Sequence, residues 1–245
     1  AWDAPLVGFA NGADPIWEQY KEVVGPFHWT PLEVFERTFP ADPVSPEALT
    51  IISWVLPQTE ATKIDQRERM SYPAERWARS RIFGERFNRR LRRHVAAQLT
   101  EAGTPAVAPM EMPQWETRDS DAFVYASTWS ERHAAYAAGL GTFGLCDGLI
   151  TPKGKAMRTG SVVARLEIPA SPRPYTDHHA YCLFYANGTC GDCIPQCPVG
   201  ALSEAGHDKV TCRDHLTRTK RYVEEHYGFD GYGCGLCQVD VPCES

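Results

Sequence analysis

The sequence predicts a mixed α/β chain in two parts: a layered domain in which strands interleave with helices, then a cysteine-rich metal-binding module. Three observations carry this expectation. The run Ala48 to Leu56 is apolar, rich in β-branched residues and closed by Pro57, as a buried strand is. Phe83, Phe87, Leu91, Val95 and Leu99 recur every four residues, and Gly103 with Thr104-Pro105 supplies a stop, as in an amphipathic helix. Eight of the nine cysteines fall between Cys182 and Cys243 in a chain of 245 residues. These mark an irregular arm over 1–47, an α/β domain over 48–175 and a cysteine module over 176–245.

Within the arm, helices are expected near Pro15 to Val23 and Pro31 to Arg37. Its aromatics, Trp2, Phe9, Trp17, Tyr20, Phe27, Trp29, Phe35 and Phe39, read as packing wall. The arginines of the long helix, Arg76, Arg79, Arg81, Arg86, Arg89, Arg90, Arg92 and Arg93, read as a solvated face, with an anion site as the other reading. Short extended pieces are expected at Pro105 to Pro109 and Asp121 to Ser127. Ser130 is placed to cap a helix over Glu131 to Ala138, and Gly139 to end it. Leu149 to Thr151 reads as a short strand. Gly160 to Ile168 alternates, with Val162, Ala164, Leu166 and Ile168 on one side, as a half-buried strand does.

The cysteine spacing narrows the chemistry. Cys190, Cys193, Cys197 and Pro198 form C-x2-C-x3-C-P, the tail of a bacterial iron–sulfur run whose last cysteine serves the other of two clusters. Asn187 stands where the first cysteine of that run belongs, and Cys182 takes its role if the intervening segment loops out. Cys234 and Cys237 make a second C-x2-C. There Val241 occupies the expected third place, and Cys243 follows Pro242 instead. Eight thiolates suffice for two four-cysteine sites. A zinc ribbon would use only two C-x2-C pairs and leave Cys182, Cys197, Cys212 and Cys243 unexplained. Disulfides are disfavoured because nine cysteines in 245 residues is far below the density of a stapled secreted scaffold.

Gly139, Gly141 and Gly144 spell G-x-G-x-x-G, with Glu167 downstream, as in a dinucleotide fingerprint. That motif must open a helix so that pyrophosphate meets the helix N-terminus. Here the glycines end one, which argues against NAD; such glycines instead allow a close approach of backbone to a large flat ligand.

The formal net charge of -6 gives no global attraction to phosphate, so no nucleic-acid partner is expected. No apolar run reaches the length of a membrane span. A reduced, cytoplasmic setting is expected from the thiolates, an export signal lost with the start being the alternative.

Taken together, AAGLGTFGLCDGLITPKGKAMRTGSVV and the two-part cysteine stretch resemble the cobalamin-dependent iron–sulfur reductases, the family of epoxyqueuosine reductases and reductive dehalogenases, over about 45 to 243. The resemblance implies a nitroreductase-like domain holding a corrinoid and a ferredoxin-like domain with two 4Fe–4S clusters. It implies Cys182, Cys190, Cys193 and Cys243 for one cluster and Cys197, Cys212, Cys234 and Cys237 for the other. It also implies that Gly139, Gly141, Phe143, Gly144 and Arg158 meet the corrinoid. Lys153 and Lys155 lie in the same loop as candidates for its amide groups or an anionic substrate. The partners it implies are a low-potential donor of the ferredoxin or flavodoxin type and a small organic substrate.

One departure bears on the reaction. The family's proton-donating aspartate, six residues before the match to Glu131, is here Tyr125. A phenol is a weaker acid than a carboxylic acid, though an oriented one can still donate. Tyr125 and His133 are thus the catalytic candidates, with core packing as the alternative for each. Cys146, left over from the two sets, reads as a free buried thiol. An electron-transfer or corrinoid-handling protein without its own organic substrate is the rival function, and a zinc-binding structural module a third.

Overall fold

The computed structural model describes residues 2–244. The chain opens with β1 (Leu6–Asn11), α1 (Ile16–Val23), α2 (Pro31–Thr38), β2 (Thr50–Pro57) and α3 (Glu60–Arg67). A long helix follows as α4 (Glu75–Arg79) and α5 (Glu85–Glu101), joined by a π-turn over Ser80–Gly84. Then come β3 (Ala106–Val107), β4 (Thr117–Ser120), β5 (Val124–Ser127), α6 (Glu131–Ala137), β6 (Thr142–Phe143), β7 (Leu149–Ile150) and β8 (Met157–Ala164). The cysteine stretch contains α7 (Leu183–Asn187), β9 (Leu202–Ser203), β10 (Gly206–His207) and α8 (Lys209–Tyr227).

The central sheet has the order β1-β2-β8-β3, with every neighbouring pair antiparallel. β2 pairs with β8 along its whole length, from Thr50↔Ala164 to Pro57↔Met157. α5 and α6 both pack on β8. The expected half-buried strand is therefore a central one, with Gly160, Ser161, Val162, Val163 and Ala164 all buried. It stops at Ala164 instead of running to Ile168. Alternation there reflects small residues beneath large ones: a Cβ on Gly160 would lie 2.5 Å from the Trp54 ring.

Residues 2–47 are not an irregular arm. Leu6–Asn11 is the edge strand, in register with β2 from Leu6↔Val55 to Asn11↔Thr50. Gly8 interrupts its apolar pattern because the end of α6 crosses there, and a Cβ would lie 2.4 Å from the Ala138 carbonyl oxygen. The arm's aromatics form much of the main core, where Trp17 stacks on Trp129 at 5.6 Å. The first helices start as expected, α2 with a capping box between Thr30 and Glu33.

The stripe on the long helix is only partly buried. Leu91, Val95 and Leu99 pack beside Trp54 and Val162, but Phe83 and Phe87 are exposed. A four-residue spacing overshoots the 3.6-residue turn by about 40° per step, so a five-residue stripe winds around the helix. The buried face of α5 is Asn88, Arg92 and Ala96. Asn88 holds its place by accepting from the Trp54 indole at 2.9 Å and donating to the Thr159 carbonyl at 2.8 Å.

Candidate cysteine-lined centre

Cys182 caps the N-terminus of α7, and Cys190 and Cys193 lie in the turns that follow it. Cys243 arrives from the opposite end of the module, in a 3-10 turn at Pro242–Glu244. These four thiols line one cavity of about 240 Å³, together with Leu145, Ile150, Lys155 and Phe184. Asn187, where the run lacks its cysteine, closes α7, and Gly188 follows at φ 70°. The extra residues between Cys182 and Cys190 are thus taken up by one short helix.

The other four cysteines gather nearby. Cys212 sits in the first turn of α8, whose N-cap Asp208 accepts from the Val210 and Thr211 amides. Cys234 and Cys237 flank the start of the 3-10 turn Leu236–Gln238, and Gly235 before it has φ 75°. The Ala201 amide donates to Cys197 Sγ at 3.2 Å. Burial pushes the Cys193 thiol up to about 12 and Cys234 up to about 11. Among the described residues no three or more His, Cys, Asp or Glu side chains converge closely enough to hold a single metal ion. The first set rings a cavity instead, and a four-iron cluster is itself several ångströms across. The donor chemistry, four thiols around one cavity, fits such a cluster.

Three groups around the thiols carry charge. Lys155 is only 3% exposed. Its Nζ lies 3.6 Å from Cys146 Sγ, and its amide donates to the Cys243 carbonyl at 3.1 Å. Burial works against its ammonium, yet the sulfurs of Cys146, Cys243, Cys237 and Cys193 hold its proton more tightly than water would. Cys146 is buried and in no disulfide, and it lies beside Cys237, whose hydrogen bond lowers it to about 5 against the cost of burial. His207 bonds Asp147 Oδ2 at 2.9 Å, and this bond with that to Cys212 raises it to about 10.

The expected loop residues separate. Lys153 is exposed, Lys155 is enclosed among sulfurs, and Arg158 belongs to β8, with Nη2 donating to the Arg81 carbonyl at 3.5 Å. At the three glycines expected to face a flat ligand, the place of a side chain is taken by the protein. A Cβ on Gly139 would lie 2.3 Å from the Pro172 carbonyl oxygen, one on Gly141 2.2 Å from that of Ile150, and one on Gly144 3.1 Å from the Ile150 side chain. Phe143 packs its ring on His133 and Tyr136. Close packing thus requires glycine at 139 and 141, while Gly144 also lines the cysteine cavity.

His133 is packed by Tyr20, His28 and Phe143, with Nδ1 2.8 Å from Ser130 Oγ. Burial lowers both imidazoles, His28 to about 4. Tyr125 lies apart, on the β4–β5 hairpin, with Arg213 and Lys209 of α8 at 5.0 and 5.5 Å from its ring. Its hairpin thus meets the turn of α8 that carries Cys212.

Sequence reasoning missed one buried polar network. Arg92, 1% exposed, bonds Glu85 at 2.8 Å and Glu111 at 3.0 Å, and its Nη1 is 3.8 Å from Glu131 Oε1. Neither of those two last atoms has a hydrogen-bond partner among the described residues. Ser161 donates to Glu131 Oε2 and accepts from the Trp129 indole at 3.1 Å. Burial, against Arg92 and the Ser161 bond, pushes Glu131 up to about 8. Arg92 is therefore not on a solvated face. The signal available was its four-residue spacing from Asn88 and Ala96, on a face with no large apolar residue. A larger hollow of about 550 Å³ between α2 and the β4–β5 hairpin, lined by Trp29, Arg37 and Arg118, contains none of the cysteines.

No protein-family model matches the chain. It is 34% identical over 119 residues to epoxyqueuosine reductase of Bacillus anthracis, a match covering 46% of this chain and 29% of that protein. It is 38% identical over 60 residues to an uncharacterised protein of the gldA 3′ region of Geobacillus stearothermophilus, covering 22% of this chain and 28% of the relative. The matches thus span less than a third of those relatives. Among solved structures, an epoxyqueuosine reductase from Bacillus subtilis aligns over 100% of this chain and 62% of its own, at TM-score 0.52 and 17% identity. Another, in complex with an epoxyqueuosine-modified tRNA stem loop, aligns over 99% and 62%, at TM-score 0.53 and 17% identity. The expectation of a small-molecule substrate and no nucleic acid is corrected by that complex, in which a protein of similar fold holds a modified tRNA stem loop. Net charge averages over the whole surface, whereas a nucleic acid meets only local groups. No helix among the described residues is long and apolar enough to cross a membrane. The chain has the mixed α/β fold of epoxyqueuosine reductase and is similar to that enzyme in part of its sequence.

Proposed function

We propose that this chain is an iron–sulfur oxidoreductase of the epoxyqueuosine reductase kind, a nitroreductase-like domain carrying a ferredoxin-like module with two 4Fe–4S clusters. Cys182, Cys190, Cys193 and Cys243 would hold one cluster, and Cys197, Cys212, Cys234 and Cys237 the other. The carrying observation is the cavity of about 240 Å³, which draws its four thiols from both ends of the module. The grouping of Cys234 with Cys197 and Cys212 supports the second set. Bound clusters of this type supply one-electron transfer.

The chain's own residues do the rest. Eight thiols give up their protons to become ligands, and the apolar walls Leu145, Ile150 and Phe184 exclude water. Tyr125, on the hairpin facing α8, is the proposed proton donor at the phenol oxygen, and His133, enclosed and neutral, keeps Ser130 and the start of α6 in place. A corrinoid acceptor is part of the proposal, with Gly139, Gly141, Phe143, Gly144 and Arg158 as the residues that would meet it. The substrate class is a modified nucleoside carried on RNA, by likeness to the complexed reductase. The replacement of the family's aspartate by Tyr125 favours a second reading, an electron-transfer protein without its own organic substrate.

Anaerobic purification with iron, cobalt and zinc analysis tests the reading. About eight irons per chain are expected, with tight uptake of added cobalamin. Iron without corrinoid affinity moves the assignment to the second reading, and zinc without iron ends both. Cys182→Ser and Cys243→Ser should each lose about four irons while the other cluster's spectrum survives. Loss of both clusters alike would refute the pairing.

A further inference from the structure

We infer that Lys155 is the electrostatic counter-charge of the cluster centre and raises its reduction potential; this rests on the two-cluster reading above. The ammonium is enclosed at 3% exposure, in the wall of the cavity formed by Cys182, Cys190, Cys193 and Cys243. Among the described residues it has no carboxylate partner, and its one side-chain hydrogen bond is to a sulfur, Cys146 Sγ at 3.6 Å.

A buried ammonium is costly, and chains retain one only where something anionic offsets it, here Cys146 beside it and the thiols of the cavity it lines. Four thiolates on a four-iron core form an anion, and each added electron makes that anion more negative. A fixed positive charge beside it favours the reduced state, since cluster potential follows net local charge, hydrogen bonds to sulfur and exposure. The position is also held from the backbone, because the Lys155 amide donates to the carbonyl of Cys243. Thr151 with Gly154 makes the tight turn that aims the side chain inward, Thr151 Oγ1 donating to the Gly154 carbonyl at 2.8 Å. Lys155 is thus a positioning and tuning residue that binds no iron.

The test is redox titration followed by electron paramagnetic resonance, on the anaerobically purified chain, with Lys155→Gln and Lys155→Arg beside the parent. The parent's iron content and signals come first: if it holds no clusters, the functional reading fails and this inference falls with it. With clusters present, Gln should lower at least one midpoint, by a tenfold change in the reduced-to-oxidised ratio at fixed potential, about 59 mV for one electron. Arg should stay near the parent. Loss of clusters in Gln but not Arg would equally support charge compensation. An unchanged midpoint in Gln, equal shifts in Gln and Arg, or loss of clusters in both would overturn it. The Gln shift must also persist in a Cys146→Ser background; its disappearance would make the Cys146 thiolate, not the clusters, the partner of the ammonium.

Discussion

At the scale of single residues, chemistry follows burial more than residue type. Glu131, Glu85 and Glu111 surround one enclosed guanidinium, and Glu131, set deepest of the three, is pushed up to about 8. Its ordinary value is near 4.5, so the folded chain binds this proton more tightly than the unfolded one. The stabilising contribution is full below about 4.5 and is lost as pH rises towards 8, each tenfold in proton affinity being worth about 1.4 kcal/mol. Glu131→Gln mimics the protonated acid and should melt higher than the parent at pH 8 but close to it at pH 5, as thermal unfolding would show. His28 has the opposite sign. Burial lowers it to about 4, so its contribution is present above about 6.5 and fades as pH falls. Tyr125→Phe should keep all iron while slowing substrate reduction by about 100-fold, the lower end of general-acid catalysis; an unchanged rate in a stopped-flow assay would assign Tyr125 to packing.

At the scale of elements, close backbone crossings decide where the glycines stand. Gly141 lies where the chain leaves α6 and pairs as β6 with β7, and the Ile150 carbonyl occupies the place of its missing side chain at 2.2 Å. Gly141→Ala should therefore destabilise the fold by about 3 kcal/mol, as overpacking does, which denaturant unfolding would reveal. Gly103 has φ at 86° but open space where a Cβ would stand, so it should lose less on substitution. The helix stop at Gly103, the cap at Ser130 and strand β2 were legible because each rests on local rules of capping and propensity. The edge strand β1 was not, because Gly8 and the short run around it suit strand and loop equally until β2 is beside them.

At the scale of the whole molecule, the cysteine stretch is held to α3 through partly buried polar contacts. Gln66 of α3 donates to the Cys234 carbonyl at 3.0 Å, and Arg67 bonds Glu244 at 2.6 Å. Cluster binding should thus stabilise more than the module itself, since a group bound only by the folded state adds to its stability. Removing iron with a chelator under reducing anaerobic conditions should lower the melting temperature of the whole chain in one transition. Two separate transitions in calorimetry, with the upper one unchanged, would show that the module is thermodynamically independent.

The sequence by itself determined the proposed donor set. Eight cysteines at near-ferredoxin spacing name a chemistry because thiolate geometry is local along the chain, and helix caps and stops are local in the same way. Only the tertiary structure decided which charges face those sulfurs. Lys155 and Lys153 are two residues apart and alike in composition, yet one is enclosed among thiols and the other is in water. Arg92 is one of eight arginines on the same helix and the one that is enclosed by carboxylates. Burial is a property of what packs from elsewhere in the chain, and with it come the electrostatics that set proton affinity and potential.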